Sequence, residues 1–444
     1  MLTNMRALLS GMARAGLMAC ISVSAAFAVA QVEPPTPITK ETRETLIERM
    51  GAIVQKDAFV PGVDLSRWDD FLKKNREGID LASTESDFAE AINRDLSKFF
   101  GVSHIVLITP RAAKARMERK AVGIGVSVQL EEGGLRVFTV FPDTPAHQAG
   151  IESGDLIFEA DGKKLTSVTG MIGEEGSAVE IKLRRGEGEG EVKSFKLVRK
   201  KYSNVRPDKV AWPAPDTALV TIHTFDLAYD RKRVDDLMAE ASKAPNLILD
   251  LRSNGGGVVL NMLHLLGHFL PHDTEIGTFV SRSMVNEFVK ETSGKPTDLR
   301  AIAQWAEGRG LRPLKPKTEH YKGNVAVLVN GGTGSASEIT AAALKEFREA
   351  PIVGTKSAGA VLVSTMKPLA DGWLLQFPLM DYITSQGTRL EGTGVAPDVE
   401  APTPRPKEPD VAIDKAIALL KRAELRSVRE KPKPPTTPPP LVAV

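Results

Sequence analysis

The stretch 324–347 combines small hydroxyl side chains with a change in sequence periodicity. Residues 324–330 alternate valine with other apolar residues, which predicts a buried strand, and apolar residues recur at helical spacing from Ile339 onwards. Ser335 lies in the glycine-rich turn between them, just before the predicted helix. Free amides and the helix dipole at such a position favour developing negative charge. Ser335 is therefore a candidate nucleophile, with an ordinary helix N-cap as the alternative.

A second glycine-rich turn follows another apolar segment, 246–251. Three consecutive glycines, Gly255, Gly256 and Gly257, permit close backbone approach and leave their amides exposed. Such amides can stabilise an oxyanion. A phosphate-binding loop would continue with Gly-Lys-Ser or Gly-Lys-Thr, and this sequence does not, so we do not expect a nucleotide.

A group of histidines follows this glycine turn. His264 and His268 share a helix face because they are four residues apart, and His272 comes directly after Pro271, which invites a zinc site. However, Leu265 stands where a metalloprotease would carry its base, and Pro271 ends the helix before the third histidine. We therefore expect packing or surface roles for these histidines, no bound metal and no cofactor.

Residues 38–118 are predicted to be largely helical and to carry no chemistry. A capping box of sequence Thr-Glu-Ser-Asp begins at Thr84, and the following helix has an apolar face that includes Phe88 and Ile92. His104 lies beside an apolar, strand-like run. We interpret it as a structural histidine.

The next segment changes to alternating hydrophobicity, which predicts a compact β module with one short helix. Its loop of sequence Gly-Ile-Gly-Val and its segment 141–165 closely resemble a PDZ domain. In PDZ domains this loop presents amides to the C-terminal carboxylate of a peptide, and a strand edge accepts the peptide as an additional strand. The resemblance implies that the peptide-binding residues are Gly123, Ile124, Gly125 and Val126.

Composition limits the classes of function. The chain has 444 residues, which is too long for one typical core and predicts two or three domains. Its net charge is +2, and no basic run is interleaved with aromatic residues, so we do not expect a nucleic-acid partner.

The N-terminus predicts an export signal. Arg6 and Arg14 precede an apolar run, 15–30, that ends in the Ala-Val-Ala pattern of a cleavage site. The only cysteine, Cys20, lies within this run, so the processed protein would have no thiol chemistry. Export without disulfides suits a bacterial periplasm. Retention of the run as a membrane anchor and lipidation at Cys20 are the alternatives.

The remaining chain alternates strand and helix patterns up to about residue 405 and ends in a Pro-rich tail that predicts disorder. The expected division is a signal peptide at 1–30, a helical region at 31–118, a PDZ domain at 119–202, a catalytic domain at 203–405, and a C-terminal helix with the disordered tail at 406–444.

Several motifs in order resemble one family, the carboxyl-terminal processing or tail-specific serine proteases with an embedded PDZ domain. They are LDLRSNGGG at 249–257, GGTGSASEI at 331–339 and LEGTGVAPDV at 390–399. The resemblance implies a multidomain α+β fold with a crotonase-like core, and a serine endopeptidase whose substrates are recruited by their C-termini. It also implies that Ser335 is the nucleophile and that Gly256 or Gly257, with Ala336, forms the oxyanion hole.

One position departs from the family pattern. Many members activate the serine with a lysine, but Ala360 occupies the corresponding position, and Lys356 would be displaced from it by about 13 Å in an extended segment. Tricorn-type members use a histidine together with a glutamate of the C-terminal motif. This resemblance implies His223 as the base that takes the proton from Ser335, and Glu391 as the glutamate; a satisfied core histidine is the alternative interpretation of His223.

Two other functions stay open because a serine without a base is a poor nucleophile. The chain could be an inactive relative that binds exported proteins as an adaptor or scaffold, or, as a third option, a binder of lipophilic ligands. Expected partners are proteins or peptides with accessible C-termini, and self-association is left open. An imidazole within hydrogen-bonding reach of Ser335 would favour the enzyme.

Overall fold

The computed structural model describes residues 36–429 except 119, 166–167, 172, 187–189 and 317–318. The predicted signal peptide with Cys20, most of the following linker and the Pro-rich tail lie outside the described residues. Within the described part of the chain, no helix combines the length and the hydrophobicity needed to cross a bilayer.

The N-terminal segment is mainly helical. It consists of α1 (Lys40–Asp57), α2 (Trp68–Lys74), α3 (Arg76–Asp80), α4 (Glu85–Phe100), strand β1 (Val106–Ile108) and α5 (Pro110–Glu118). Helix α4 begins where the capping sequence predicts, since the Thr84 hydroxyl accepts a hydrogen bond from the Asp87 amide at 3.2 Å. It ends at Gly101, whose left-handed conformation (φ 59°) suits a glycine.

A β module follows, whose strands pair antiparallel and which contains one short α-helix. The elements are β2 (Lys120–Gly123), β3 (Val126–Glu131), β4 (Gly134–Val140), α6 (Pro145–Gln148), β5 (Leu156–Ala160), β6 (Lys163–Lys164), β7 (Ala178–Arg185), β8 (Glu191–Val198) and β9 (Lys200–Ser203). The main antiparallel sheet has the order β3-β4-β5-β7-β8, and β2 pairs separately with β9. Strand β3 therefore forms one edge of the main sheet.

The third region is an α/β core. Its elements are β10 (Lys209–Ala214), β11 (Thr217–Thr221), α7 (Arg231–Ala241), β12 (Asn246–Asp250), α8 (Val259–Gly267), β13 (Gly277–Ser281), α9 (Arg282–Thr292), α10 (Leu299–Trp305), β14 (Asn324–Val329), α11 (Ala336–Arg348), β15 (Ile352–Gly354), β16 (Val363–Pro368), β17 (Leu374–Thr384), β18 (Val399–Glu400) and α12 (Val411–Arg429).

The central sheet of this core brings the two glycine turns together. Its order is β10-β11-β12-β14-β15-β18, and it is parallel from β11 onwards. Asp250, the last residue of β12, pairs with Leu328 near the end of β14. Since the carboxyl ends of parallel strands share one edge, the turn at 255–257 and the turn that carries Ser335 leave the sheet side by side.

A second sheet joins the N-terminal segment to the core. Strand β17 pairs with β1, β13 and β16, so the N-terminal strand is part of a sheet that is otherwise made by the core. Trp68 and Phe88 of the helical segment share one hydrophobic cluster with Trp373 and Phe377. Fully burying a large apolar side chain contributes about 1.5–3 kcal/mol, so this cluster fixes the residues that immediately precede β1 against the core.

Candidate active site

Ser335 stands on a strained turn between β14 and α11. Its backbone angles are φ 53° and ψ −121°, a combination that non-glycine residues rarely adopt and that is frequent at functional sites. The Ser335 amide donates to the Ala360 carbonyl at 2.7 Å and to Glu338 Oε2 at 3.1 Å. The side chain is partly buried and lies at the N-terminus of a helix of 13 residues.

Glu338 stabilises this turn with a fully buried carboxylate. Besides the Ser335 amide, it accepts hydrogen bonds from the Ser357 hydroxyl at 2.5 Å and from the amides of Gly359 and Ala360 at 2.7 and 2.8 Å. Burial raises the pKa of Glu338, and the four hydrogen bonds act in the opposite direction. One carboxylate thus ties the start of α11 to the segment 357–360.

The glycine turn lies directly against the serine. A Cβ atom on Gly256 would lie 2.6 Å from the Ser335 Cβ and 2.9 Å from the Ala336 amide nitrogen, so only glycine fits there. The Gly256 amide already donates to Asn254 Oδ1 at 3.0 Å. Among the described residues, the amides of Gly257 and Ala336 have no acceptor. Two of the three predicted oxyanion donors are therefore unoccupied, whereas the third, the Gly256 amide, has a side-chain partner.

Glu391 is buried and binds a Ser-His pair from the N-terminal segment. Its Oε1 accepts from the Ser103 amide at 2.7 Å, and its Oε2 accepts from the Ser103 hydroxyl at 2.9 Å and from the Val361 amide at 2.8 Å. The Ser103 hydroxyl lies 2.6 Å from Nδ1 of His104. His104 itself has a left-handed backbone (φ 60°), which is uncommon outside glycine.

This chain of hydrogen bonds determines which ring nitrogen of the neutral His104 carries the proton. The Ser103 hydroxyl donates its single proton to Glu391 Oε2, so it has no proton left to donate to His104. The Ser103 oxygen must then accept from Nδ1–H of His104, which leaves Nε2 with a free lone pair. Burial, with a smaller effect of the Arg116 charge, lowers the pKa of His104 to about 4, so the imidazole is neutral at physiological pH.

Glu391 is also connected to the serine turn through the backbone at positions 360 and 361. The Val361 amide donates a hydrogen bond to Glu391. The preceding residue, Ala360, accepts a hydrogen bond from the Ser335 amide through its carbonyl. Ala360 is buried, and Lys356 is solvent-exposed. The backbone at Ala360 and Val361, where the family resemblance led us to look for a lysine, therefore connects the serine turn to Glu391.

His223, the base implied by the resemblance to tricorn-type members, contacts Asp208 instead of Glu391 or Ser335 in the described structure. Its amide donates to Asp208 Oδ1 at 2.8 Å, and its Nδ1 lies 3.5 Å from the same oxygen. Neither His223 nor His104 forms a hydrogen bond with the Ser335 hydroxyl in the described structure. Glu391 accepts hydrogen bonds from Ser103, and the described partner of His223 is Asp208, so no hydrogen bond in the described structure joins the two residues that were predicted to act together.

His104 and Ser103 are the candidate functional residues that the sequence interpretation missed. The helical segment was expected to carry no chemistry, yet β1 pairs with β17 and brings its preceding residues to Glu391. A Ser-His dipeptide directly before a strand of the core sheet was the available signal.

The predicted peptide-binding loop connects β2 to the edge strand β3. The Ile124 and Gly125 carbonyls accept from the amides of Ala146 and Phe141, which fixes the loop. A narrow pocket beside it is lined by Ile124, Gly125, Val126, Val128, Met171 and Tyr202. The Tyr202 hydroxyl is buried without a hydrogen-bond partner among the described residues, and burial raises its pKa to about 12.

Two regions of the chain match known protein families. Residues 122–197 match the PDZ domain, and residues 216–401 match Peptidase family S41. The probable CtpA-like serine protease of Staphylococcus haemolyticus is 26% identical over 292 residues, covering 64% of this chain and 53% of the relative. The carboxy-terminal-processing protease of Bartonella bacilliformis is 28% identical over 296 residues, covering 64% of this chain and 62% of the relative.

The chain thus spans about half to three fifths of the length of these relatives. The crystal structure of mature CPAF matches with a TM-score of 0.52 and 13% identity, covering 88% of this chain and 99% of that one, which is a likeness of fold. Fold and matches define a mixed α/β serine-peptidase core joined to a PDZ module, which confirms the predicted fold class. Residues 216–401 thus form a Peptidase family S41 domain and residues 122–197 a PDZ domain, and the chain is similar to carboxy-terminal-processing proteases over 64% of its length.

Proposed function

We propose that the protein is an exported serine endopeptidase in which Ser335 is the nucleophile and His104, rather than His223, is the general base. The observation that carries the proposal is the hydrogen-bonded chain from Glu391 through Ser103 to His104, which leaves His104 Nε2 as a proton acceptor. A hydrogen bond from the Ser335 hydroxyl to His104 Nε2 would form with substrate, since such contacts are often loose in the free enzyme.

In the proposed reaction, His104 Nε2 takes the proton of the Ser335 hydroxyl while the oxygen attacks a peptide carbonyl. The resulting oxyanion accepts hydrogen bonds from the free amides of Gly257 and Ala336. The His104 imidazolium then protonates the leaving amine, and a water molecule activated by His104 releases the acyl group. The positive charge that forms transiently on His104 is stabilised through Ser103 by the buried Glu391 carboxylate, which is 5% exposed.

The inactive-scaffold alternative is weakened by these same contacts. It was based on the alanine at position 360, which left the serine without its usual base. The neutral imidazole of His104 and the strained backbone of Ser335 support chemistry at this site instead. Binding of a lipophilic ligand has no comparable support among the described residues.

The proposal includes recruitment of substrates by their C-termini through the PDZ module. Strand β3 is an edge strand and can accept a peptide as a further strand. The Tyr202 hydroxyl lies beside the loop without a hydrogen-bond partner among the described residues, and in the proposal it donates a hydrogen bond to the carboxylate of a peptide bound along β3. Export to a bacterial periplasm is proposed from the N-terminal sequence alone.

Covalent labelling tests the nucleophile. A fluorophosphonate probe is expected to add once per wild-type chain, on the tryptic peptide that contains Ser335, and not to label Ser335→Ala. Ser337→Ala is the matched control, since Ser337 is buried in the same helix and its hydroxyl has no partner among the described residues. Labelling of Ser335→Ala would contradict the assignment, and an unlabelled, folded wild type would favour the scaffold.

Peptide binding tests recruitment separately. In the Ser335→Ala protein, amidating the C-terminus of an apolar peptide is expected to weaken binding about 10-fold or more, because the loop amides and Tyr202 lose a charged acceptor. Tyr202→Phe is expected to weaken binding of the free-carboxylate peptide while leaving the amidated peptide nearly unaffected. Titration followed by fluorescence anisotropy measures both. Equal affinities for the two peptides would show that the module does not read the C-terminus.

A further inference from the structure

We propose that Asp235, His264 and His268 form a zinc-binding site that is separate from the Ser335 centre. The sequence led us to expect no metal, because Leu265 stands where a metalloprotease would carry its base and Pro271 ends the helix before His272. The structure supplies a third candidate ligand from a neighbouring helix. Asp235 belongs to α7, whereas His264 lies in α8 and His268 caps its C-terminal end.

The three donor atoms converge on one point. Asp235 Oδ1 lies 3.1 Å from Nε2 of His264 and 3.0 Å from Nε2 of His268. One ligand atom from each residue can be chosen so that all three lie within 4.8 Å of one another. Zinc bonds of about 2.0–2.2 Å in tetrahedral geometry require ligand atoms somewhat more than 3 Å apart, so small side-chain rotations suffice.

The surroundings orient the imidazoles for this role. The two rings are nearly perpendicular, with an interplanar angle of 84° and centroids 5.3 Å apart. The Tyr229 hydroxyl lies 3.0 Å from Nδ1 of His264, so its oxygen can accept a hydrogen bond from Nδ1–H, which puts the lone pair of the neutral ring on Nε2, the atom that faces Asp235. An outer hydrogen bond of this kind is the usual support of a histidine ligand.

The donor set favours zinc over harder cations. Two imidazoles and one carboxylate suit zinc, whereas magnesium and calcium prefer oxygen donors. His268 lines an open cleft of about 590 Å³ together with Glu319 and His320, which gives an ion a path from solvent. Three protein ligands leave a fourth position for water.

A bound ion would connect α7 to α8, the helix that follows the glycine turn at 255–257. Helix α8 follows that turn directly, and the Val258 amide donates to the Phe225 carbonyl at 2.7 Å. The Phe225 ring contacts that of Tyr229, the partner of His264, with centroids 5.7 Å apart. We therefore expect zinc to stabilise the protease core through the packing of these two helices.

Calorimetric titration of the full, untagged chain with zinc sulfate tests the site. The wild type is expected to bind one equivalent, with an increase in melting temperature of about 3–6 °C at saturating metal. Cobalt should bind at the same place and give a tetrahedral d–d absorption band, whereas magnesium and calcium should give neither effect. His264→Gln and Asp235→Asn should each weaken zinc binding by about 100-fold or more.

Two control variants distinguish this site from other histidines. His272→Gln removes an exposed histidine close in sequence, and His104→Gln removes the histidine of the proposed catalytic centre; both should keep the zinc equivalent. Far-UV circular dichroism establishes whether each variant is folded. If His264→Gln does not fold, Asp235→Asn tests the site alone. Absence of zinc binding by the wild type, or unchanged binding in both ligand variants, would overturn the proposal.

Discussion

Replacing His104 with glutamine is expected to lower kcat/KM for cleavage of an unstructured protein by about 10³-fold, within the range typical of general bases. Glutamine keeps a hydrogen-bonding group beside Ser103 but cannot take the serine proton. His223→Gln is the matched control, because it makes the same change at a partly buried histidine whose side chain is near Asp208 and not the Glu391 chain. It is expected to change kcat/KM by less than about 3-fold.

The pH dependence of the wild type gives a second measurement of the same residue. Because burial lowers the pKa of His104 to about 4, the neutral base persists down to that pH, and kcat/KM should fall only as the pH decreases through about 4. An unperturbed histidine would lose activity near pH 6.5. Circular dichroism at each pH separates this loss from acid unfolding. Full activity of His104→Gln, with loss of activity in His223→Gln, would return the role of base to His223.

Replacing Glu338 with alanine is expected to lower the free energy of unfolding of the protease core by about 3–5 kcal/mol. The change leaves a cavity and removes the acceptor of four hydrogen bonds, from the amides of Ser335, Gly359 and Ala360 and the hydroxyl of Ser357. The turn that strains Ser335 would relax, so kcat should fall by about 10²-fold or more in whatever fraction remains folded.

Urea unfolding and single-turnover kinetics measure the two effects of Glu338→Ala. Glu346→Ala, at a partly exposed glutamate of the same helix, provides the control and should cost less than about 1 kcal/mol. Glu338→Gln keeps the shape of the side chain and should lie between alanine and wild type. Wild-type stability of Glu338→Ala would show that the buried carboxylate does not hold the turn.

The elements around Ser335 could be predicted because their signals are local. The valine-rich strand, the glycine turn and the helix start lie within one continuous stretch, and parallel pairing of β12 with β14 then brings the turn at 255–257 beside it. A side chain at Gly256 would collide with Ser335. The sequence suggests that this position requires a glycine, and the structure shows the reason.

The residues that could not be predicted are joined over long distances in the chain. Ser103 and Glu391 are separated by 288 positions, and only the pairing of β1 with β17 makes them neighbours. The resemblance instead pointed to His223, which lies two residues after β11 and has Asp208 as its partner. Asp235 could not be predicted as a third metal ligand for the same reason. His264 and His268 are four residues apart on one helix, whereas Asp235 belongs to the preceding helix.

The pairing of β1 with β17 also has a consequence for biosynthesis. The proposed base is synthesised before the PDZ module, whereas Glu391, which orients it, comes near the end of the core, and closing so long a loop is slow compared with forming local structure. A nascent chain that already displays the PDZ module and even Ser335 still lacks an oriented imidazole. We therefore expect chains that terminate before Glu391 to have no peptidase activity.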